Sequence, residues 1–142
     1  MMSANLLEDR LAIAELVNIS AAGVMRKDIG LWGSTWATDG AWKIDMLDQP
    51  AQGRDAIVAI FERILGKFAF VSMSVASVEV EVDGDLATGK AYSQELMFPK
   101  EGGQRILVGC FHDTYVREDR RWFFKSRIYE TLYRSTVIEP LA

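Results

Sequence analysis

The chain has 142 residues, 49% of them hydrophobic and 25% charged, and a formal net charge of −4, the proportions of one domain, 1–142, with a core of its own. Its 16 Lys and Arg residues are scattered, which argues against a nucleic-acid partner; the single Cys cannot form an internal disulfide, and neither C-x-x-C nor H-E-x-x-H occurs, so no metal and no cofactor is expected. No apolar run approaches a membrane span, and the opening MMSANLLEDR has neither a basic nor an apolar leader region, so the expectation is a cytoplasmic protein away from membranes.

Asn5 and Glu8 have the reciprocal spacing of a helix capping box, which predicts a helix from Leu6 to Met25 with Asn5 as its cap. Between Leu11 and Met25 only Glu15, Asn18 and Ser20 are polar, so this helix is expected to be buried on several sides. Leu7, Leu11, Ala14, Asn18, Ala21 and Met25 share one seam, with Asn18 and Met25 two turns apart. Asp28 caps a short second helix that carries Trp32 and Trp36 on one side. Alternation over Ala41 to Met46 predicts a strand, and Leu47 to Gly53 a loop. Ile57, Ile60, Phe61 and Ile64 then predict an amphipathic helix from Arg54 to Leu65, ended by Gly66.

Strands follow. In Phe70 to Val82 the apolar residues fall first on odd and then on even numbers, a slip of phase that predicts a β-bulge near Ala76 and Ser77. Asp83-Gly84 turns the chain into a strand over Leu86 to Phe98, and Pro99 to Gly103 turns it again. Ile106 to Tyr133 reads as a long hairpin with a two-residue turn at Asp119 and Arg120, pairing Glu118 with Arg121, Tyr115 with Phe124, Asp113 with Ser126 and Phe111 with Ile128. That register puts Phe111, Asp113, Tyr115, Trp122, Phe124, Ser126 and Ile128 on the inner face, and Cys110, His112 and Arg127 on the outer one. Helices first and antiparallel strands after them predict an α+β fold, the helices packed on one face of a curved sheet.

These residues resemble the SnoaL-like branch of the nuclear-transport-factor-two-like superfamily, which includes scytalone dehydratases, hexachlorocyclohexane dehydrochlorinases and ketosteroid isomerases. The matching pieces are Arg10-Leu-Ala-Ile-Ala-Glu-Leu16, Trp36-Ala-Thr-Asp-Gly-Ala-Trp42, Gly53-Arg-Asp-Ala-Ile57, Glu81-Val-Asp-Gly-Asp-Leu-Ala-Thr88, and Tyr115-Val-Arg-Glu-Asp119 with Arg121-Trp122. The resemblance implies a cone-shaped α+β barrel, with N-terminal helices on a strongly curved, mixed, mostly antiparallel sheet around an apolar cavity. The dehydratase and dehydrochlorinase relatives carry an Asp near the end of the first helix and a His on the first long strand. The resemblance puts Met25 and Met73 at those two positions and has them meet at the floor of the pocket. A thioether does not titrate, so that pair cannot serve as a general base.

Asp113 is then the sharpest candidate for catalysis: a carboxyl group on an apolar face is expected to have a raised pKa and to donate a proton to a ligand oxygen. The other reading of Asp113 is a structural hydrogen bond to Ser126, a helix end or Asn18. Arg127 matches an active-site arginine of the dehydrochlorinase-like relatives, but it reaches the pocket only if a bulge lies between Phe124 and Arg127. Asn18, Met25, Trp42, Met73, Phe111 and Tyr115 are candidate ligand contacts, while His112 reads as a surface residue and Cys110 as a packed one. The functional expectation is a pocket for a small hydrophobic or polycyclic molecule and, for an enzyme, cofactor-independent lyase or isomerase chemistry of the dehydratase type. The alternative is a non-catalytic binding or assembly module resembling the small subunits of aromatic-ring dioxygenases. Self-association as a homodimer or homotrimer is expected through exposed sheet surface.

Overall fold

The structure is a computed structural model that describes residues 4–135. Its elements follow in the order α1 (Ala4–Met25), α2 (Ile29–Gly33), β1 (Trp36–Lys43), β2 (Ala51–Gln52), α3 (Arg54–Leu65), β3 (Phe68–Asp83), β4 (Leu86–Pro99), β5 (Arg105–Glu118) and β6 (Arg121–Arg134). The six strands form one sheet in the order β2-β1-β6-β5-β4-β3, antiparallel throughout except where β1 runs parallel to β6. The two end strands do not meet, so the cone is an open, mixed sheet rather than a closed barrel. Among the described residues no helix is long and apolar enough to cross a membrane.

α1 starts at Ala4, so Asn5 lies within its first turn instead of capping it. The helix ends in a Schellman motif: Lys27, with φ 52°, donates its N–H to the Val24 carbonyl, and Asp28 donates to Gly23. Its buried side chains are Ile13, Leu16, Val17, Ser20, Ala21 and Val24, one stripe at helical spacing. Of the seam expected from the sequence only Ala21 is fully buried; Leu7, Leu11 and Asn18 are exposed. A helix that is apolar on most sides carries no single stripe, and here the sheet selects which side is covered. Asp28 caps α2 by accepting from the Leu31 N–H at 3.0 Å. Trp36 opens β1 instead of extending α2, so the strand expected at Ala41 begins five residues earlier. α3 has the predicted bounds and ends at Gly66.

The core beneath the helices is aromatic. Trp32 stacks on Phe61 at 3.7 Å between centroids and meets Trp42 edge-on at 5.3 Å, while Trp36 packs on Phe124 at 5.5 Å.

Of the irregularities in the sheet, two bear most on which side chains face that core. In β3, Val75 pairs with Ser93 and Ser77 with Tyr92, so Ala76 is the extra residue of a bulge, where the change of phase in the sequence predicts one. In β6, Tyr115 pairs with Phe124 but Thr114 with Ser126, so Lys125 is an extra residue and the register beyond it moves by one. Asp113 therefore faces Arg127 and Phe111 faces Tyr129, in place of the expected Ser126 and Ile128. Arg127 and Tyr129 turn inward, and Ile128 is left 53% exposed on the outer face. The bulged Lys125 forms an ion pair with Asp39 of β1. The hairpin turn is the predicted one, Asp119 and Arg120 both having positive φ, 50° and 66°, as a type I′ turn requires. The turn between β3 and β4 lies one residue later than expected, at Gly84-Asp85, because Asp83 pairs with Leu86.

Candidate functional site

Between the sheet and the helices lies a cavity of about 150 Å³. Ser20 and Val24 of α1, Trp32 of α2, and Phe61, Ile64 and Leu65 of α3 cover it from one side. The sheet contributes Trp42, Val71, Met73, Glu95, Met97, Leu107, Phe111, Arg127 and Tyr129. Its rim is the segment after β1, Ile44 to Met46, with Arg134. There Asp45 accepts from Arg134 Nη2 at 2.9 Å and from Thr131 Oγ1 at 2.5 Å.

Of the residues singled out in the sequence, Trp42, Met73, Phe111 and Arg127 line this cavity; Asn18, Met25, Asp113 and Tyr115 do not. Asn18 points to solvent from α1, and Met25 is half-buried at the end of that helix, so of the two methionines only Met73 lines the cavity. Asp113 lies behind the wall. Its Oδ1 accepts from Arg127 Nε at 2.8 Å, and its Oδ2 accepts from Arg127 Nη2 at 3.1 Å and from the Tyr115 hydroxyl at 2.9 Å. With three donors directed at it, the carboxyl group is an acceptor and not the proton donor expected from its apolar face. Burial first, and the Asp113 charge second, raise the Tyr115 phenol above its ordinary value, so Tyr115 stays a donor.

Arg127 is the member of this group that reaches the cavity. The Lys125 bulge turns it inward, and it lies between the faces of Phe111 and Phe124, 3.8 Å and 4.0 Å from their centroids. Its Nη1 has one long contact, 3.4 Å to Ser20 Oγ, which leaves N–H capacity directed along the cavity wall.

Glu95 is the group that the sequence analysis missed. It stands on β4 directly opposite Met73 of β3 and Leu107 of β5, with its carboxyl group in the cavity wall. Burial pushes its pKa up to about 7, and the Arg127 charge only partly opposes this. The Tyr129 hydroxyl lies beside Ser93, and both are buried without completing a hydrogen bond to a protein group. Burial, and then the Glu95 charge, raise the Tyr129 phenol above its usual range. The Tyr129 ring lies so close over β5 that a side chain on Gly109 would come within 2.1 Å of it, which accounts for the glycine there. One apolar cavity thus holds an acid poised to titrate near neutral pH, a fixed guanidinium and an unpartnered phenol. A signal for Glu95 was present in the sequence. The alternate positions Ala87, Gly89, Ala91, Ser93, Glu95 and Met97 form one face of β4, mostly small, which leaves room under the helices.

Two outcomes test this geometry. In the unfolded chain Glu95 loses its proton near its ordinary value of 4.5, whereas in the fold it holds the proton to about 7. Its contribution therefore favours the fold at low pH and is lost as pH rises through that window. Glu95→Gln is expected to match the parent at about pH 4 and to exceed it in urea midpoint at about pH 8; equal midpoints at both would disprove the shift. Replacing Asp113 by Asn leaves a buried guanidinium poorly compensated and is expected to cost about 3–5 kcal/mol, while Asp113→Leu with Arg127→Met recovers much of the loss. A double variant no more stable than either single one in denaturant titration would show that the ion pair is not what the site depends on.

The family model described as a SnoaL-like domain matches residues 5–128. No curated protein sequence matches the chain. Among solved structures, a type 2 hexachlorocyclohexane dehydrochlorinase (LinA) is similar with a TM-score of 0.85 at 20% identity, over 96% of this chain and 95% of that one. A provisionally assigned scytalone dehydratase of Novosphingobium aromaticivorans follows with a TM-score of 0.83 at 23% identity, over 96% and 95%. A type 3 LinA of Novosphingobium barchaimii has a TM-score of 0.82 at 20% identity, over 96% of each chain. At these identities the structural likenesses establish the fold alone. The family model spans most of the chain, from the first turn of α1 into β6, and the chain belongs to the SnoaL-like domain family.

Proposed function

We propose that this domain binds a small, mostly hydrophobic molecule of about one ring and moves a proton on it, as a cofactor-independent lyase or isomerase. Glu95 takes or returns the proton, Arg127 holds the oxygen or departing group that gains charge, and the Tyr129 hydroxyl donates to the same ligand. The observation that carries this reading is Glu95, a carboxyl group with a pKa of about 7 in an apolar cavity shared with a guanidinium. A general base works best with a pKa near the operating pH, and a fixed donor costs no reorganisation when charge develops. Glu95 is also the direct cross-strand neighbour of Met73, the position that the resemblance gives to the relatives' His. On this reading the proton-handling group has moved one strand along the sheet. Asp113 holds Arg127 in place and does not touch the ligand.

Size supports a single ring over a polycyclic ligand, since an apolar void of about 150 Å³ takes up benzene. A larger ligand would have to displace Met46 and part the Asp45–Arg134 pair. A cavity lined but not filled by side chains favours this reading over the assembly module. Self-association through the outer sheet face is part of the same reading, because Leu86, Ile128 and Tyr133 are exposed there; a monomeric mass in light scattering would refute it.

The chemistry is tested with cyclohexanone and cyclohexenone in heavy water, following deuterium entry beside the carbonyl by NMR. Exchange above the buffer rate is expected, growing as pH passes through about 7, and Glu95→Gln is expected to reduce it by about 10²-fold or more. An unchanged rate in Glu95→Gln would remove Glu95 from the mechanism. Neither exchange nor a thermal shift with any single-ring probe would remove the function.

A further inference from the structure

The outer face of β5 and β6 carries a second cluster that the cavity chemistry does not use. Cys110 and His112 are two residues apart on β5 and so share a face, and Glu130 is the direct partner of Cys110 on β6. A Cys110 sulfur, a His112 ring nitrogen and a Glu130 carboxylate oxygen all lie within 4.8 Å of one another, and His112 Nε2 is 2.9 Å from Glu130 Oε1. Cys110, 1% exposed, forms the floor; His112 and Glu130 are exposed walls.

We propose that Cys110, His112 and Glu130 bind one divalent cation of the borderline-soft class, with zinc the best match to the donors. Thiolate, imidazole and carboxylate are the three donor types that zinc takes, and three protein ligands leave a fourth position for water. The charges balance, because a thiolate and a carboxylate with a neutral imidazole offset a dication. Donors around one zinc stand roughly 3.3–3.6 Å apart, so the site closes on the ion by rotation of the two exposed side chains while the buried sulfur stays in place. Burial first, and the Glu130 charge second, push the Cys110 thiol up, and Tyr92, opposite it on β4, offsets this only in part, so the ion itself has to displace the proton. Lys90, opposite His112, is a cation that opposes the ion, and its side chain is exposed. Binding breaks the S–H bond of Cys110, forms a metal–sulfur bond and releases one proton to water; the hydrogen bond between His112 and Glu130 gives way to two metal bonds. No linear motif announces such a site, since it joins C-x-H on one strand to a residue 18 positions away from His112 on the next.

Cobalt(II) is the probe, because its thiolate charge-transfer absorption reports a cobalt–sulfur bond. The full chain, with its thiol reduced, is expected to saturate at one cobalt per chain with that absorption, to lose it when zinc is added, and to unfold at a higher temperature with zinc. Cys110→Ser is expected to abolish the absorption, and His112→Ala and Glu130→Gln each to weaken zinc about tenfold or more. The last two residues are exposed, so these variants decide the matter even where Cys110→Ser fails to fold. Absence of the absorption at millimolar cobalt overturns the proposal. So does a zinc affinity unchanged in both His112→Ala and Glu130→Gln. The cavity is not involved, so neither result bears on Glu95.

Discussion

Between β5 and β6 two opposite charges lie almost wholly out of water, the Arg127 side chain 4% exposed and the Asp113 side chain 0%. Removing each from solvent costs several kcal/mol, and the attraction between them offsets this only where the geometry is good and the remaining hydrogen-bonding capacity is met. Here that condition recruits residues from several elements. Asp113 and Arg127 face each other across the ladder, Tyr115 donates from two residues along β5, Ser20 approaches from α1, and Phe111 and Phe124 cover the two faces of the guanidinium. The docking of α1, the register of the hairpin and the placing of the aromatic rings are therefore coupled through one pair of side chains. An arginine held in this way has little freedom to turn, and its unused donors keep one direction along the cavity wall.

The division of the hairpin into two faces follows from the bulge at Lys125. Before it, Trp122 and Phe124 face inward; after it, Arg127 and Tyr129 do. The two faces then have different chemistry, one enclosing an apolar cavity with Glu95 in its wall, the other carrying Cys110, His112 and Glu130. A sheet one residue thick thus keeps two sets of polar groups apart.

Much of the fold was legible because local signals agreed with it. The period of α3, the change of phase at Ala76 and the two-residue turn at Asp119-Arg120 each have a direct cause in the chain, and each stands in the structure. The second bulge has the same cause but a weaker trace: Trp122 and Phe124 mark one phase and Tyr129 the other, yet Ile128 supplies an apolar residue in the old phase and hides the slip. α1 misled for a different reason, since its apolar residues go almost all the way round and only the sheet decides that Ile13 and Val17 are covered while Asn18 is not. The site was harder still. Asp113 was placed on the inner face as expected, but its role depends on a cross-strand neighbour one position from the one assumed. Glu95 lay in a strand whose faces were never distinguished, although its small alternate residues carry that information.

The single extra residue at position 125 has a wider meaning for domains built this way. Side chains along a strand alternate, so pairing Lys125 into the ladder instead of leaving it bulged would exchange the two sets beyond it without moving the turn or the partner strand. Ser126 and Ile128 would enter the chamber, and Arg127 and Tyr129 would leave it for solvent. One unpaired residue then separates a chamber that presents a cation from one that presents only a hydroxyl and a branched hydrocarbon. Gain or loss of chemistry in such cones can proceed by slippage of a strand, with every amino acid retained.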